Sequence, residues 1–308
     1  MSRPLRYSFQ RYLLAKQGLD DRSLNRAVMG QLEQFTAQAG TLRTLELGAG
    51  VGTMLKRLVA RRILTRGDYL GIDADAESTN YGLQWAPEWG AQQGYNIQQL
   101  AGGLLLDRPA SDDRLRIGFT IADALEFCQR RENTRAWDLL IAHAFLDLFD
   151  LPAVLPLFLQ ALRPAGAFYF TLNFDGVTIF EPQIDPELDE QIISLYHRSM
   201  DERNVNGLPS GDSHSGRHLF TLLPQAGAAI LEAGASDWVV FPGPAGYPGD
   251  EAYFLHHILY FFEQSLSGHP DLGQVRFAAW LDRRHAQVER AELVYIAHQI
   301  DFFGLLNQ

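Results

Sequence analysis

The feature that most constrains this chain is a glycine-rich turn set between an apolar run and an amphipathic stretch. Leu42, Leu45 and Leu47 lead into Gly48-Ala49-Gly50-Val51-Gly52, after which Met54, Leu55, Leu58 and Val59 share one helical face. A second apolar run, Tyr69-Leu70-Gly71-Ile72, ends at Asp73. Strand, glycine turn, helix, strand and acid form the opening of a βαβ unit, which commits the chain to parallel strands joined by right-handed crossovers. The alternation continues. Residues 117–121 read as a strand, followed by Asp123 and a helix through Leu125 and Cys128. Residues 137–142 read as a buried strand, followed by a helix carrying Leu155, Phe158 and Leu162. Pro164-Ala165-Gly166 breaks that helix before a fifth strand at 168–172. The pattern predicts a doubly wound, Rossmann-like α/β sheet. Two further strands are expected, one within 228–241 and one at 293–297.

Around this frame the sequence predicts an N-terminal helical lid over residues 1–40 and a main domain over 41–308. Insertions fall at about 74–114, 176–216 and 242–290. Leu24, Val28, Leu32 and Phe35 place a helix over 21–38, with Asp20 or Asp21 as its cap. Asp185-Pro186-Glu187 opens another helix, with a cap and a first-turn proline. Asp250 is expected to cap a third, bearing Phe254, Leu255, Ile258, Leu259 and Phe262. The insertions are expected to form helices that cover a pocket at the strand ends.

Composition narrows the function classes. Of 308 residues, 46% are hydrophobic and 20% charged, the mixture of a folded globular chain. The net charge of −11 repels phosphate backbones and anionic lipid, so no nucleic-acid or membrane partner is expected. Lys56, Arg57, Arg61, Arg62 and Arg66 run against that trend and read as a solvated helix face. The single cysteine, Cys128, excludes an internal disulfide and fits a cytoplasmic location. No signal-peptide core stands within residues 1–10, and no apolar run approaches the ~20 residues of a membrane span.

Glycines at the turn let the backbone bend tightly and let a ligand approach it, while the helix that follows offers unpaired N–H groups. Such a turn can hold a pyrophosphate or the carboxylate end of an amino acid. Asp73 is placed to accept hydrogen bonds from ribose hydroxyls. Three observations separate the two ligand types. The spacing is G-x-G-x-G, one residue short of the dinucleotide fingerprint. Glu46, two residues before the first glycine, suits an ammonium group and not a pyrophosphate. Asp123-Ala124 ends the third strand as an acceptor for an adenine amino group.

On these residues the chain resembles the class I S-adenosylmethionine-dependent methyltransferases, over about residues 44–173. Glu46-Leu47-Gly48-Ala49-Gly50-Val51-Gly52 is similar to that family's first motif, Gly71-Ile72-Asp73 to its ribose-binding acid motif, and Ala122-Asp123-Ala124 to its adenine-contacting motif. Residues 137–143, ending at His143, resemble the fourth strand and its cofactor-facing end. Ala165 stands where the family usually has glycine. Tyr12-Leu13-Leu14-Ala15-Lys16 and Asp20-Asp21-Arg22 resemble the leader of some bacterial small-molecule methyltransferases. The resemblance implies a seven-stranded sheet with an antiparallel last strand and S-adenosyl-L-methionine as cofactor. It implies a cofactor site of Glu46, Gly48, Ala49, Gly50, Gly52, Asp73, Ala74, Asp123, Ala124 and His143, with Arg22 on the methionine carboxylate. The implied activity is methyl transfer to an O or N nucleophile of a small molecule. A nicotinamide-dependent oxidoreductase and a non-catalytic cofactor-binding scaffold are the alternatives.

Methyl transfer from a sulfonium needs positioning and water exclusion more than any obligatory side chain. His143 is the candidate general base, with a cofactor contact or a structural histidine as its other readings. Asn173 and Asp175, with His143 or Asp147, make a poor ligand set for a divalent cation, and no metal is expected. His214-Ser215-Gly216-Arg217-His218 reads as a loop near the pocket or an exposed, serine-capped one. Tyr253 and His257 lie one turn apart, either facing substrate or forming an amphipathic rim. Trp85, Trp89, Tyr253 and Phe261 hint at an apolar or planar acceptor. Acceptor identity and oligomeric state are not written in the sequence.

Overall fold

Three helices precede the sheet in the computed structural model: α1 (Phe9–Ala15), α2 (Gln17–Ser23) and α3 (Arg26–Ala39). It describes residues 2–205 and 207–307; Met1, Asn206 and Gln308, which fall in the predicted lid, insertion and main domain, lie outside the described residues. The helix expected over 21–38 is thus two. Leu24 ends the first and Asn25 caps the second, its side chain accepting from the amides of Ala27 and Val28. Asp20 is no cap, being fully buried and bonded elsewhere.

The sheet then follows the alternation. β1 (Leu42–Leu47), α4 (Thr53–Ala60) and β2 (Arg66–Asp73) form the first unit, with Gly52 at φ +79° starting α4. After β2 comes α5 (Ala76–Gln92), then a hairpin of β3 (Asn96–Leu100) and β4 (Gly103–Arg108), then β5 (Asp113–Ile121). Residues 74–114 are therefore an ordinary crossover helix plus an edge hairpin, not a helical piece of a lid. The chain continues through α6 (Ala124–Gln129), β6 (Trp137–His143), α7 (Leu151–Leu159) and β7 (Leu162–Glu181). Leu162 begins β7 and does not belong to the preceding helix. Then come α8 (Pro186–Asp201), a short β8 (Asn204–Val205) and β9 (Leu208–Pro209), and α9 (Ser215–Gln225). Last are β10 (Ala228–Ala235), β11 (Trp238–Val240), α10 (Glu251–Leu266), α11 (Gln274–Glu289) and β12 (Val294–Leu306). Pro186 sits in the first turn of α8 and Asp185 accepts from the Leu188 amide, as expected. Asp250 stands at the N-cap position of α10 as expected, but its carboxylate is taken by Arg11 and makes no capping bond.

The strand order is β10-β12-β7-β6-β1-β2-β5-β4-β3. β5, β2, β1, β6 and β7 are parallel neighbours, and β12 enters antiparallel between β7 and β10. This is the expected seven-stranded sheet with its last strand antiparallel, widened by the β3–β4 hairpin and by β11. The chain moves outward from β1 to β2 and β5, then returns to β6 and β7, so the crevice at the carboxyl ends of β1 and β6 is the topological switch point. β6 is buried at every residue, as a central parallel strand between two helical layers must be. One apolar cluster lies under α1–α5, α8, α10 and α11, the other under α6, α7 and α9. β7 and β12 run 20 and 13 residues, so their antiparallel ribbon projects past the other strands, and Phe180 near its end packs on Phe262 of α10 and Trp280 of α11.

Candidate functional site

A cavity of about 600 Å³ opens at the switch point, within the range that holds small ligands. Its first wall is the glycine turn. Glu46, Gly48, Ala49 and Gly50 line it from β1, Asp73 and Ala74 from the end of β2, Asp123 and Ala124 from the end of β5, and His143 from the end of β6. Two of the expected residues lie outside it. Gly52 is a packing glycine: a Cβ there would come within 2.8 Å of the Phe119 ring and 2.9 Å of Trp85. Arg22 is turned away, its guanidinium forked onto Glu251 at 2.5 and 2.8 Å, which removes it as a partner for a ligand carboxylate.

The turn itself is shaped for a close ligand. Gly48 and Gly50 both hold left-handed φ, +64° and +53°, and a Cβ on Gly48 would overlap the Phe145 ring. Asp73 braces the turn with one carboxylate oxygen on the Gly50 amide and the other on the Asp75 amide, both at 2.8 Å. Burial raises its pKa against those donors, and each oxygen keeps a free lone pair. Asp123 accepts from the Glu126 amide at 3.0 Å and so starts α6 while bordering the cavity. Glu46 is almost fully buried, with the Tyr69 hydroxyl donating to it. Burial pushes its pKa up to about 8 despite that bond.

His143 belongs to a buried network that sequence reasoning missed. Its Nδ1 lies 2.7 Å from the Thr171 hydroxyl and its Nε2 3.1 Å from Asp20. Asp20 also receives the Lys16 ammonium at 2.6 Å and the Trp238 indole N–H at 2.9 Å. Burial acts to raise the pKa of Asp20, but Lys16 and His143 overcome it and hold the carboxylate well below its usual range. Burial lowers His143 to about 4, so the ring is neutral near pH 7. An ionised Asp20 then takes the Nε2 proton's hydrogen bond, and Nδ1 accepts from Thr171. Both nitrogens are committed within the protein, so the geometry favours a positioning histidine over a free general base. The i, i+4 spacing of Lys16 and Asp20 was the available signal for this network.

The remainder of the cavity lies under α1, α8, α10 and the β7–β12 ribbon. Phe9, Tyr12 and Leu13 of α1 close one side, and Phe174, Tyr196, Met200, Ile258, Phe261 and Tyr295 give an apolar and aromatic wall. Asp147, Arg203, Ser265 and Gln299 add polar groups. Of the four aromatics expected near an acceptor, only Phe261 lines the cavity. Trp85 donates to the Val51 carbonyl and packs edge-on against Trp89, both on the sheet core. Tyr253 is buried, its hydroxyl bonded to the Ser8 backbone. His257 lies among Tyr7, Tyr12 and Phe261 and does not line this cavity.

The conceivable cation set is not assembled. Asp175 pairs with Arg217 and Asn173 donates to the Ile300 carbonyl, and neither lines the cavity. Ser215 and Arg217 lie within α9, not on a loop over the pocket. The basic cluster is also committed: Arg57 to Asp21, Arg62 to Asp113 and Arg66 to Asp112, with Lys56 over the Trp85 ring. A second groove of about 690 Å³ along β7 and α8, with His197 and His214 in it, stands apart from the glycine turn.

No family model matches the chain, and no curated protein does. Solved structures share its general architecture at low identity. The YcgJ protein from Bacillus subtilis is 12% identical, over 92% of this chain and 100% of that one, with a TM-score of 0.48. An S-adenosylmethionine-dependent methyltransferase from Thiobacillus denitrificans, in complex with S-adenosyl-L-homocysteine, is 14% identical over the whole of both chains, with a TM-score of 0.47. Geranyl diphosphate C-methyltransferase from Streptomyces coelicolor is 9% identical over 90% and 76%, with a TM-score of 0.43. At these values the likenesses add nothing to what strand order and site geometry establish by themselves.

Proposed function

We propose that this chain is an S-adenosylmethionine-dependent methyltransferase that acts on a small-molecule acceptor. The observation that carries the reading is one cavity bringing Glu46, Asp73 and Asp123 around a left-handed glycine turn at the switch point. The Asp73 and Asp123 carboxylates beside the turn repel a pyrophosphate, and Glu46, which an ammonium partner would ionise, suits a ligand with a net positive charge; both argue against a nicotinamide dinucleotide. The residues present fit the cofactor. Glu46 has a raised pKa that an ammonium partner would relieve, and Asp73 has a free lone pair on each oxygen for ribose hydroxyls. Gly48 and Gly50 border the cavity with backbone that carries no side chain of its own, and Asp123 borders it where an adenine amino group would donate.

When bound, the cofactor supplies an electrophilic methyl group. The chain's own work is to orient and to exclude water. The Lys16–Asp20–His143–Thr171 network fixes the cavity floor, since each member is bonded to the next and buried. Phe9, Tyr12 and Leu13 from α1 stand between the cavity and solvent, so we assign the 1–40 segment to a lid and the cavity's second wall to the acceptor. No helix among the described residues is long and apolar enough to cross a membrane; a cytoplasmic setting is part of this proposal.

Thermal melts test it. S-adenosylmethionine and S-adenosylhomocysteine should each stabilise the protein, by about 2.7 kcal/mol at a concentration near 100 times the dissociation constant. NAD should not, and a shift with NAD alone overturns the reading. Asp73→Ala should abolish the shift by removing both the ribose acceptor and the brace on Gly50.

A further inference from the structure

The second wall of the cavity holds three polar groups whose side chains bond no other described residue. Asp147 stands in a short turn after β6, with its carboxylate unbonded to any other described residue, although its backbone carbonyl accepts from the Asp212 amide. Tyr196 lies on α8 with one ring face stacked on Phe262 at 3.8 Å, and no described residue bonds its hydroxyl. Arg203 follows α8 and uses its backbone to hold Met200 and Ser210. Among the described residues its guanidinium has no hydrogen bond and no ion pair. All three line the same cavity and sense one another electrostatically. Burial raises Asp147 to about 6 while Arg203 opposes the rise; burial raises Tyr196 to about 12, with Arg203 opposing and Asp147 reinforcing.

Elsewhere Arg62 and Arg217 fork onto Asp113 and Asp175, and Arg57 and Arg284 each pair with a carboxylate, Asp21 and Asp189. A guanidinium in an aromatic-walled cavity is costly without an anion and is shaped for a planar, bidentate one. The neighbouring Asp147 limits how much negative charge a ligand can bring, which favours a monoanion over a phosphate. Phe174, Met200, Ile258 and Phe261 supply apolar surface for the rest of such a ligand.

We infer that the acceptor is a small carboxylate with an apolar or aromatic body, its carboxylate seated on Arg203 and its body against Phe174 and Phe261. The assignment deepens the methyltransferase reading and rests on it for the word acceptor. The binding claim stands on the cavity alone.

Equilibrium binding on the intact protein tests it, with 3-phenylpropanoate, its uncharged amide and phenyl phosphate as probes, each measured by calorimetry with and without S-adenosylhomocysteine. The carboxylate should bind about tenfold more tightly than the amide, the scale of one charge-assisted bidentate contact. Arg203→Gln should bring the two within about twofold of each other, and Arg203→Lys should restore part of the preference because the charge returns without the fork. Equal or absent binding of carboxylate and amide overturns the proposal, as does a preference that survives in Arg203→Gln. Tighter binding of phenyl phosphate overturns the carboxylate assignment. A melt of each variant with S-adenosylhomocysteine separates the two readings. If wild type shows no shift, the cofactor reading fails while the probe result still stands or falls alone; a retained shift in Arg203→Gln shows that the glycine-turn side is intact.

Discussion

The two walls of the cavity satisfy their polar groups in opposite ways. On the glycine-turn side each carboxylate and imidazole already has protein partners: Glu46 has Tyr69, Asp73 has the Gly50 and Asp75 amides, and His143 has Thr171 and Asp20. On the ribbon side the carboxylate of Asp147, the hydroxyl of Tyr196 and the guanidinium of Arg203 bond no other described side chain. One wall is built rigid before any ligand arrives, at the end of strands that the core fixes. The other is held by the turn after β6 and by α8 and the residues that follow it, and its polar groups are completed by what enters. The first wall should therefore contribute to fold stability and the second to ligand choice.

The largest expected effect comes from breaking the hub of the satisfied wall. Asp20→Asn leaves the buried Lys16 ammonium without its counter-charge and weakens the bonds from His143 and Trp238. Removing one partner of a buried charge pair costs about 3–5 kcal/mol. Arg203→Gln, on the other wall, removes no described partner and should stay within about 0.5 kcal/mol of wild type. Urea unfolding of both variants checks the contrast. Comparable losses from the two would sink the idea that the walls differ in kind.

A second effect, smaller and in binding, follows from Glu46. Its carboxyl group stays protonated up to about pH 8 in the free protein, because burial outweighs the Tyr69 hydrogen bond. An ammonium partner favours the ionised form, so the folded-state pKa falls on binding. Below about 8, and above the lowered pKa of the complex, binding must release a proton and affinity must rise with pH. Calorimetry with S-adenosylhomocysteine at about pH 6.5, in buffers of different ionisation enthalpy, should report release of about one proton. Glu46→Gln should remove the buffer dependence. Proton uptake in wild type would reverse the assignment of Glu46 to the ammonium.

The difference between the walls also explains what the sequence made legible. Residues 46–52, 71–73 and 122–124 are contiguous because each cofactor-facing group sits at a strand end followed by a turn, and local patterning marks such places. The sheet order was legible for the same reason, since strand–helix alternation leaves few topologies open. The ribbon wall had no such mark. Asp147, Tyr196 with Arg203, and Gln299 come from three distant stretches of the chain, and the 20-residue β7 and its pairing with β12 bring their elements together. Arg22 was placed by resemblance and Gly52 by the glycine turn as well, and local packing took both: a salt bridge to Glu251 for one, and the Phe119 ring for the other. Residues 74–114 misled because a crossover helix and an edge hairpin together have the length of a lid.

The smallest expected effect lies outside both walls and serves as the control. Ala165 holds φ +60° where β7 shifts register against β6, between the pairs Trp137–Leu162 and Leu139–Ala167. An L-residue pays about 1–2 kcal/mol for that conformation, and glycine returns about 0.5–1 kcal/mol of it through its greater freedom in the unfolded chain. The neighbouring Gly166 cannot take over the role of a side-chain residue, since a Cβ there would stand 2.9 Å from the Arg163 carbonyl. Ala165→Gly should therefore stabilise the protein by about 0.5–1 kcal/mol, a rise of about 1–4 °C in Tm for a chain of this size. The S-adenosylhomocysteine shift and the carboxylate preference should both be unchanged, because the turn touches neither wall. A drop in Tm would mean that the left-handed backbone at 165 carries no strain. A changed ligand shift would mean that the end of the sheet opposite the cavity communicates with it, and that the two walls are not the only parts of the fold on which binding depends.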